Sequence, residues 1–324
     1  MSLLSLRWLR VALCLLSLCG ALPASAVCAY TDTGGQLGSV NSFRVRSGPA
    51  VVTNANFKLD CGVSLLGALT TSYLQLKIVS PTTGLTLKRV GNTPENNHSI
   101  PYQIAPQLGG SFTQGALILN LSGANLISLL ANNTANLAIA ITTTPGPNVP
   151  QGLYTDTITI NWNYANICQG LAVLNACVSL NGPPHTDNVD RQITVQLTVT
   201  NDCTVTAPNV VFGSAPLPSA FGAVSQSISM VCTRGTTYSV GLDAGRSPEN
   251  GRRRMAGDGG HLAYDLYKAN GSIWGKATDG ERVRTAESNG IAPLLLPYSA
   301  RVYSDQPAPP PGLYQDTVTV DVQF

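Results

Sequence analysis

One short pattern occurs twice in this chain and decides what it can fold into. Pro150 to Ile160 reads PQGLYTDTITI, and Pro310 to Val320 reads PPGLYQDTVTV, 160 positions further on. Other features recur in the same order. IPYQI (Ile100 to Ile104) faces LAYDL (Leu262 to Leu266), Cys28 and Cys61 stand ahead of the first copy, and Cys203 and Cys232 stand ahead of the second. An ordered set of features repeated at a fixed offset means two homologous units, with a boundary near Asn201. The text within each unit alternates apolar and polar residues in short runs bounded by Gly, Pro and Asn. YLQLKI (Tyr73 to Ile78), NLAIAIT (Asn136 to Thr142), TITINW (Thr157 to Trp162), ITVQLTV (Ile193 to Val199), YSARVY (Tyr298 to Tyr303) and TVTVDV (Thr317 to Val322) are examples. Period two in Val, Ile, Thr and Tyr predicts β-strands, and the Pro-Gly ahead of each repeated tyrosine marks a turn feeding a strand. The expected fold is all-β: two immunoglobulin-like antiparallel sandwiches.

Composition excludes the main alternatives. Charged residues make up 11% of the chain, against roughly 25% in an average soluble domain, and the abundance of Gly (31) and Pro (21) in text crowded with Thr, Asn and Ser rules out coiled coils and helical bundles. With 19 Lys and Arg against 17 Asp and Glu, no basic excess exists to neutralise phosphates, and nucleic acid is not an expected partner.

Residues 1–26 read as a secretory signal. Arg7 and Arg10 precede the apolar run VALCLLSL, and Ala24-Ser25-Ala26 forms a small-x-small cleavage site. The run is too short to span a bilayer, which takes about 20 residues. Two of the eight cysteines leave with the signal. The six that remain, Cys28, Cys61, Cys168, Cys177, Cys203 and Cys232, form an even set in an exported chain and imply disulfides. Zinc is disfavoured because there is no CxxC pair and His98, His185 and His261 are isolated. No metal or cofactor is expected.

The two copies end differently. After PQGLYTDTITINW the first has a hairpin and then RQITVQLTVTN, in which Ile193, Val195, Leu197 and Val199 share a face. The second runs PPGLYQDTVTVDVQF to Phe324 without text for a matching strand. The second sandwich is therefore expected to lack its last strand. Thr317 to Phe324 becomes an edge, with Val318, Val320, Val322 and, by period two, Phe324 facing the gap. Unpaired N–H and C=O groups on such an edge invite a strand from another chain. Cys28 follows the cleavage site by one residue, which leaves no extended segment to donate. The chain is expected to accept a strand and to give none, which places it at the end of a fibre.

These residues resemble a known family. Cys203, Phe212-Gly213, Cys232, YDLY (Tyr264 to Tyr267), Trp274-Gly275, YSARV (Tyr298 to Val302) and PGLYQDTVTV look like the spore coat protein U domain, which builds archaic chaperone–usher pili of the Csu type. The match covers residues 201–324. The first half keeps the cysteine pair and GLYTDTITI but lacks the Trp-Gly motif. Two such domains without a donor segment are similar to the tip adhesin subunit of these pili. The resemblance implies delivery by a periplasmic pilus chaperone, assembly through an outer-membrane usher, a neighbouring pilin subunit as strand donor, a cell-surface location at the pilus tip, and adhesion in biofilm formation. It also implies Cys28–Cys61 and Cys203–Cys232 as bridges within their domains, and so Cys168–Cys177 as the remaining pair. Residues 27–200 would be the surface-binding domain and 201–324 the pilin domain. A secreted spore-coat-like structural protein or a carbohydrate-binding sandwich is the alternative.

Three apolar stretches of the first unit are candidates for the adhesive surface. One follows Cys61 and holds Leu65, Leu66, Ala68 and Leu69. The second contains Leu126, Ile127, Leu129 and Leu130, where the other copy has Glu287, Ser288, Gly290 and Ile291. The third is Leu171, Ala172, Val173 and Leu174 between Cys168 and Cys177. Loops are normally polar and exposed, and an exposed apolar patch marks an interaction site. The same stretches would also serve as core, and ANLISLLA fits a helical turn. The bridged LAVL is the best candidate, because a disulfide holds outward side chains that would otherwise collapse. Residues 27–200 hold 7 cations and 6 anions, against 10 and 11 in the shorter 201–324. Adhesion through desolvation needs few strongly hydrated groups, so a hydrophobic surface is the expected target. Arg252 to Arg254 read as a solvated turn, and Asp156 and Asp316 as strand hydrogen-bonders. No GxSxG, HExxH or phosphate-binding glycine loop is present, so no enzyme is expected.

Overall fold

A computed structural model of the chain describes residues 29–60, 67–80, 84–91, 97–106, 117–122, 134–168, 170–173, 175–179 and 183–324. Among these the strands form two groups. The first has β1 (Ala29–Asp32), β2 (Gly35–Asn41), β3 (Val52–Asp60), β4 (Gly67–Ser80), β5 (Thr86–Arg89), β6 (Ser99–Pro106), β7 (Leu117–Ser122), β8 (Thr134–Thr143), β9 (Gly152–Cys168), β10 (Gly170–Val173), β11 (Ala176–Ser179) and β12 (His185–Thr200), with a short helix α1 (Ser42–Ser47) after β2. The second has β13 (Cys203–Thr206), β14 (Val224–Cys232), β15 (Ser239–Leu242), β16 (Arg253–Gly257), β17 (Gly260–Lys268), β18 (Val283–Arg284), β19 (Leu294–Val302) and β20 (Val320–Gln323). The protein is all-β, as the alternation predicts, and is built as β-sandwiches.

In the first group the strands pair in the order β1-β3-β8-β6-β5-β9-β12-β2, and β4 joins β9 with β7 on its far side. All pairings are antiparallel except β12 with β2, which is parallel. The sheet curls until its apolar face encloses one cluster. Ile158, Ile160 and Trp162 of β9 meet Ile193, Val195, Leu197 and Val199 of β12, together with Leu74, Leu76, Phe57 and Ile141. The second group splits into a five-stranded sheet, β13-β14-β19-β17-β16, and a three-stranded one, β18-β15-β20. Between them lies a separate cluster around Trp274, Met230, Val240, Leu266 and Tyr298. The Trp274 indole N–H donates to the Val240 carbonyl at 2.9 Å, which satisfies this buried donor.

The repeat extends to individual hydrogen bonds. Tyr154 Oη donates to the Pro150 carbonyl at 2.8 Å, and Tyr314 Oη to the Pro310 carbonyl at 2.7 Å. Tyr102 Oη donates to Asp156 Oδ2 and Tyr264 Oη to Asp316 Oδ2, both at 2.8 Å. Burial, reinforced by the neighbouring carboxylate, pushes both of these phenols far above their ordinary range, so they remain donors. Asp156 and Asp316 thus accept hydrogen bonds that tie the repeated strand to the opposing one.

The connection between the groups is short. β12 ends at Thr200 and β13 begins at Cys203. Thr236 Oγ1 donates to Asn201 Oδ1 at 2.8 Å, the Asp202 amide donates to Thr233 Oγ1 at 2.8 Å, and Ser42 Oγ of α1 meets Thr233 Oγ1 at 2.7 Å.

Candidate functional site: an open sheet edge and an apolar hairpin

The two copies of the repeated strand have different neighbours. β9 is flanked by β4 and β5 on one side and along most of its length by β12 on the other, from Gly152–Val199 to Ile167–His185. β20 pairs with β15 through Val320–Leu242 and Val322–Val240. Among the described residues no strand pairs with its other edge. Burial follows from this. Ile158, Ile160 and Trp162 are fully buried. Their counterparts 160 positions later, Val318, Val320 and Val322, lean on the second core but stay half-exposed. Val210 and Phe212 of the segment after β13 lean on the core in the same half-buried way. Among the described residues the first cluster has four such partly buried apolar side chains and the second has eleven. A core in that state has apolar surface still to remove from water.

The edge is shorter than the alternation predicts. The ladder covers Val320–Gln323, not Thr317 to Phe324. The reason is β15, which ends at Leu242. Beyond it the Asp243 side chain takes over: its Oδ1 accepts the Thr319 amide at 2.9 Å and the Gly245 amide at 3.1 Å. Burial opposes ionisation of this carboxyl, but the Thr319 and Gly245 amides outweigh it and hold Asp243 below the usual carboxylate range. Phe324 is a second correction. It has the parity of the three valines but lies past the last ladder pair, Ser239–Gln323, and is 59% exposed. It does not line the gap.

The disulfide-closed stretch is a hairpin of two strands. Cys168 and Cys177 are bonded, β10 pairs with β11 through Leu171–Val178, Ala172–Cys177 and Val173–Ala176, and Asn175 adopts a positive φ of 66° in the tight turn. Asn is among the few non-glycine residues that tolerate this conformation. Successive side chains on a strand alternate faces, so Leu171, Val173, Ala176 and Val178 share one side, and Cys177 lies on the other with its bridge. Leu171 is 55%, Val173 42% and Val178 63% exposed. The face is apolar and open to water. Val178 and Ala176 complete it, and their only signal in the sequence is the alternation in ACVS after the turn.

The hairpin lies far from the second group. β9 runs 17 residues from Gly152, beside the connection, to Cys168 at the hairpin base. At about 3.3 Å per residue that is roughly 50 Å.

Of the other candidates, Leu69 is a correction: it is buried on β4, its amide bonded to Ser72 Oγ at 2.6 Å, at a register irregularity between Ala68 and Tyr73. It packs as core and belongs to no exposed loop. Leu65, Leu66, Leu126, Ile127, Leu129, Leu130, Leu174, Cys28, Cys61 and the signal segment lie outside the described residues. Cys203 and Cys232 are bonded. The arginine run is also corrected. Arg252 is half-exposed and stacks 3.8 Å from the Tyr303 ring centroid. Arg253 is buried, paired to Asp265 at 2.7 Å and donating to the carbonyls of Leu242, Asp243 and Trp274. Among the described residues no cluster of three or more His, Cys, Asp or Glu could hold a metal.

Residues 189–321, which reach into β20, match the model of the Spore Coat Protein U domain. No curated protein sequence matches the chain. Its fold is similar to that of a chain in the CsuC–CsuE chaperone–tip adhesion subunit pre-assembly complex from the archaic chaperone–usher Csu pili of Acinetobacter baumannii. The two are 23% identical with a TM-score of 0.59, and the similarity covers 91% of this chain and 100% of that one. The CupB6 tip adhesin from Pseudomonas aeruginosa is 10% identical with a TM-score of 0.34, over 91% of this chain and 94% of that one.

Proposed function

We propose that the protein is the tip adhesin subunit of a chaperone–usher pilus. Residues 201–324 act as the pilin domain and accept a donor strand from the next subunit beside β20. Residues 27–200 act as the surface-binding domain and attach through the face formed by Leu171, Val173, Ala176 and Val178, supporting biofilm formation. A periplasmic chaperone holds the open edge during export, and an outer-membrane usher exchanges it for the neighbouring pilin. The pilus then carries the protein to the cell surface, at its tip.

The observation that supports this reading best is the contrast between Ile158, Ile160 and Trp162, fully buried, and Val318, Val320 and Val322, half-exposed at the same positions of the repeat. An added strand with alternating apolar residues would bury them. The experiment is expression of the mature chain alone, with a periplasmic pilus chaperone, or with a donor peptide fused after Phe324. Soluble yield is expected to rise sharply in the second and third cases. Equal yield and equal stability in all three would overturn the acceptor role. Adhesion is tested separately: Leu171→Asp with Val173→Asp is expected to remove most binding to polystyrene while leaving the thermal transition of the first group in place.

A further inference from the structure

We propose that Arg282 is the positioning residue of the open edge, a clip that holds β20 against β15 and keeps the gap in strand geometry before any strand arrives. The inference rests on reading β20 as a strand acceptor. β20 and β15 have four residues each, and β18, on the far side of β15, has two. Ribbons this small are marginal on their own. In the first group the corresponding strand is held by its neighbour. Asn161, 160 positions before Asp321, donates through Nδ2 to Asn188 Oδ1 and to Asp190 Oδ1 of β12, each at 2.7 Å. Asp321 has no described neighbouring strand to do this, and Arg282 reaches it from the side of β15. Its Nη2 donates to the Asp321 carbonyl at 3.1 Å and to the Ser239 carbonyl at 3.2 Å, its Nε donates to Ser239 Oγ at 3.0 Å, and it is paired with the Asp321 carboxylate at 2.5 Å. One planar guanidinium thus grips both strands of the ribbon, which a point-charge lysine cannot do.

The clip leaves the gap free. Val240, Val320 and Val322 face the core, so Gly241 and Arg282 lie on the opposite face of the sheet. Gly241 makes room: a Cβ there would stand 2.7 Å from Arg282 Nη1 and 2.6 Å from Lys276 Cβ. Arg282 directly precedes β18, whose Arg284 pairs with Ser239, so its backbone is fixed. The side chain is nearly buried. A buried cation carries a desolvation cost and is weak evidence for added stability. Among the described residues Arg253, Asp265 and Arg282 of the second group are charged and buried as whole residues, and in the first group the Asp32 side chain is buried as well.

The test uses the mature full chain and, as probe, a synthetic peptide copying residues 189–200, the strand that closes the first sandwich. Arg282→Met is expected to speed amide exchange at 320–323 by about tenfold or more in the peptide-free chain, with the β14–β19 ladder unchanged. Peptide association is expected to slow by about fivefold while dissociation changes little, because a bound strand holds β20 from its other side. Arg282→Lys should fall between the two. Unchanged exchange at 320–323, or a uniform rise across the second group, overturns the clip. If Arg282→Met does not fold, Asp321→Asn decides by the same measurements. A wild-type chain that takes up no peptide, pilin-derived or copied, would sink the acceptor reading, while the exchange arm still reports on the clip.

Discussion

At the scale of single residues, the repeat made Asp156 and Asp316 readable in advance. An aspartate that recurs in YxDT in both halves, without a basic or acidic partner, suits a strand hydrogen bond better than catalysis, and each accepts a tyrosine hydroxyl. Tyr264→Phe is expected to lower stability by about 1 kcal/mol in denaturant unfolding, the usual size of one such bond. The arginines were not readable. Three in succession look alike in sequence, but Arg253 opens β16 with its side chain buried, while Arg252 precedes the strand and stays half-exposed. Arg253→Met leaves Asp265 buried without its cation and is expected to cost about 3–5 kcal/mol. Arg252→Ala, which breaks a solvent-screened bidentate pair with Asp305, should leave the unfolding midpoint nearly unchanged. Asp243 supplies a pH dependence. Its carboxyl is held below the ordinary range in the folded chain, so its contribution is present above the unfolded value, about 3.9, and is lost as pH falls through the lower folded value. Asp243→Asn should flatten the acid limb of a stability–pH curve. An unchanged limb would show that the Thr319 and Gly245 bonds do not hold the carboxylate.

At the scale of elements, strands were legible wherever both ends of a run were marked. TITINW and ITVQLTV lie within β9 and β12, and the text between them forms the expected hairpin. The error at Thr317 to Phe324 came from treating alternation as sufficient. A ladder needs a partner of equal length, and β15 supplies only four residues. Leu69 departs from expectation for a related reason: the extra length relative to the other copy is not all loop, because β4 absorbs part of it with an irregular register. The Cys168–Cys177 bridge closes nine positions, for which loop entropy suggests roughly 2–3 kcal/mol of restraint on the hairpin. Replacing both cysteines with serine is expected to abolish amide protection at 170–179 while leaving the β9–β12 ladder protected. Retained protection would show that the bridge is dispensable for the outward apolar face.

At the scale of the whole molecule, two separate apolar clusters imply two unfolding transitions. A strand peptide should move only the one from the second group, by about 2.7 kcal/mol at a hundredfold excess over its dissociation constant. A single transition, or a shift of both, would show that the sandwiches melt as one. The duplication was plain in the sequence because motifs recur in order. The open edge is visible in the sequence only as a difference between endings, and nothing in the text around Arg282 marks it as a contact of β20. The path of the backbone has a mechanical meaning. From the bridged hairpin the chain enters β12, runs 16 residues without interruption, roughly 50 Å, and passes within three positions to Cys203, itself bonded to Cys232. When the hairpin is anchored and the second sandwich is pulled, tension runs down that single strand as through a cable. The remaining ribbons of the first sandwich hang beside the line of force, and a tug that would unravel a barrel placed in series merely straightens this one.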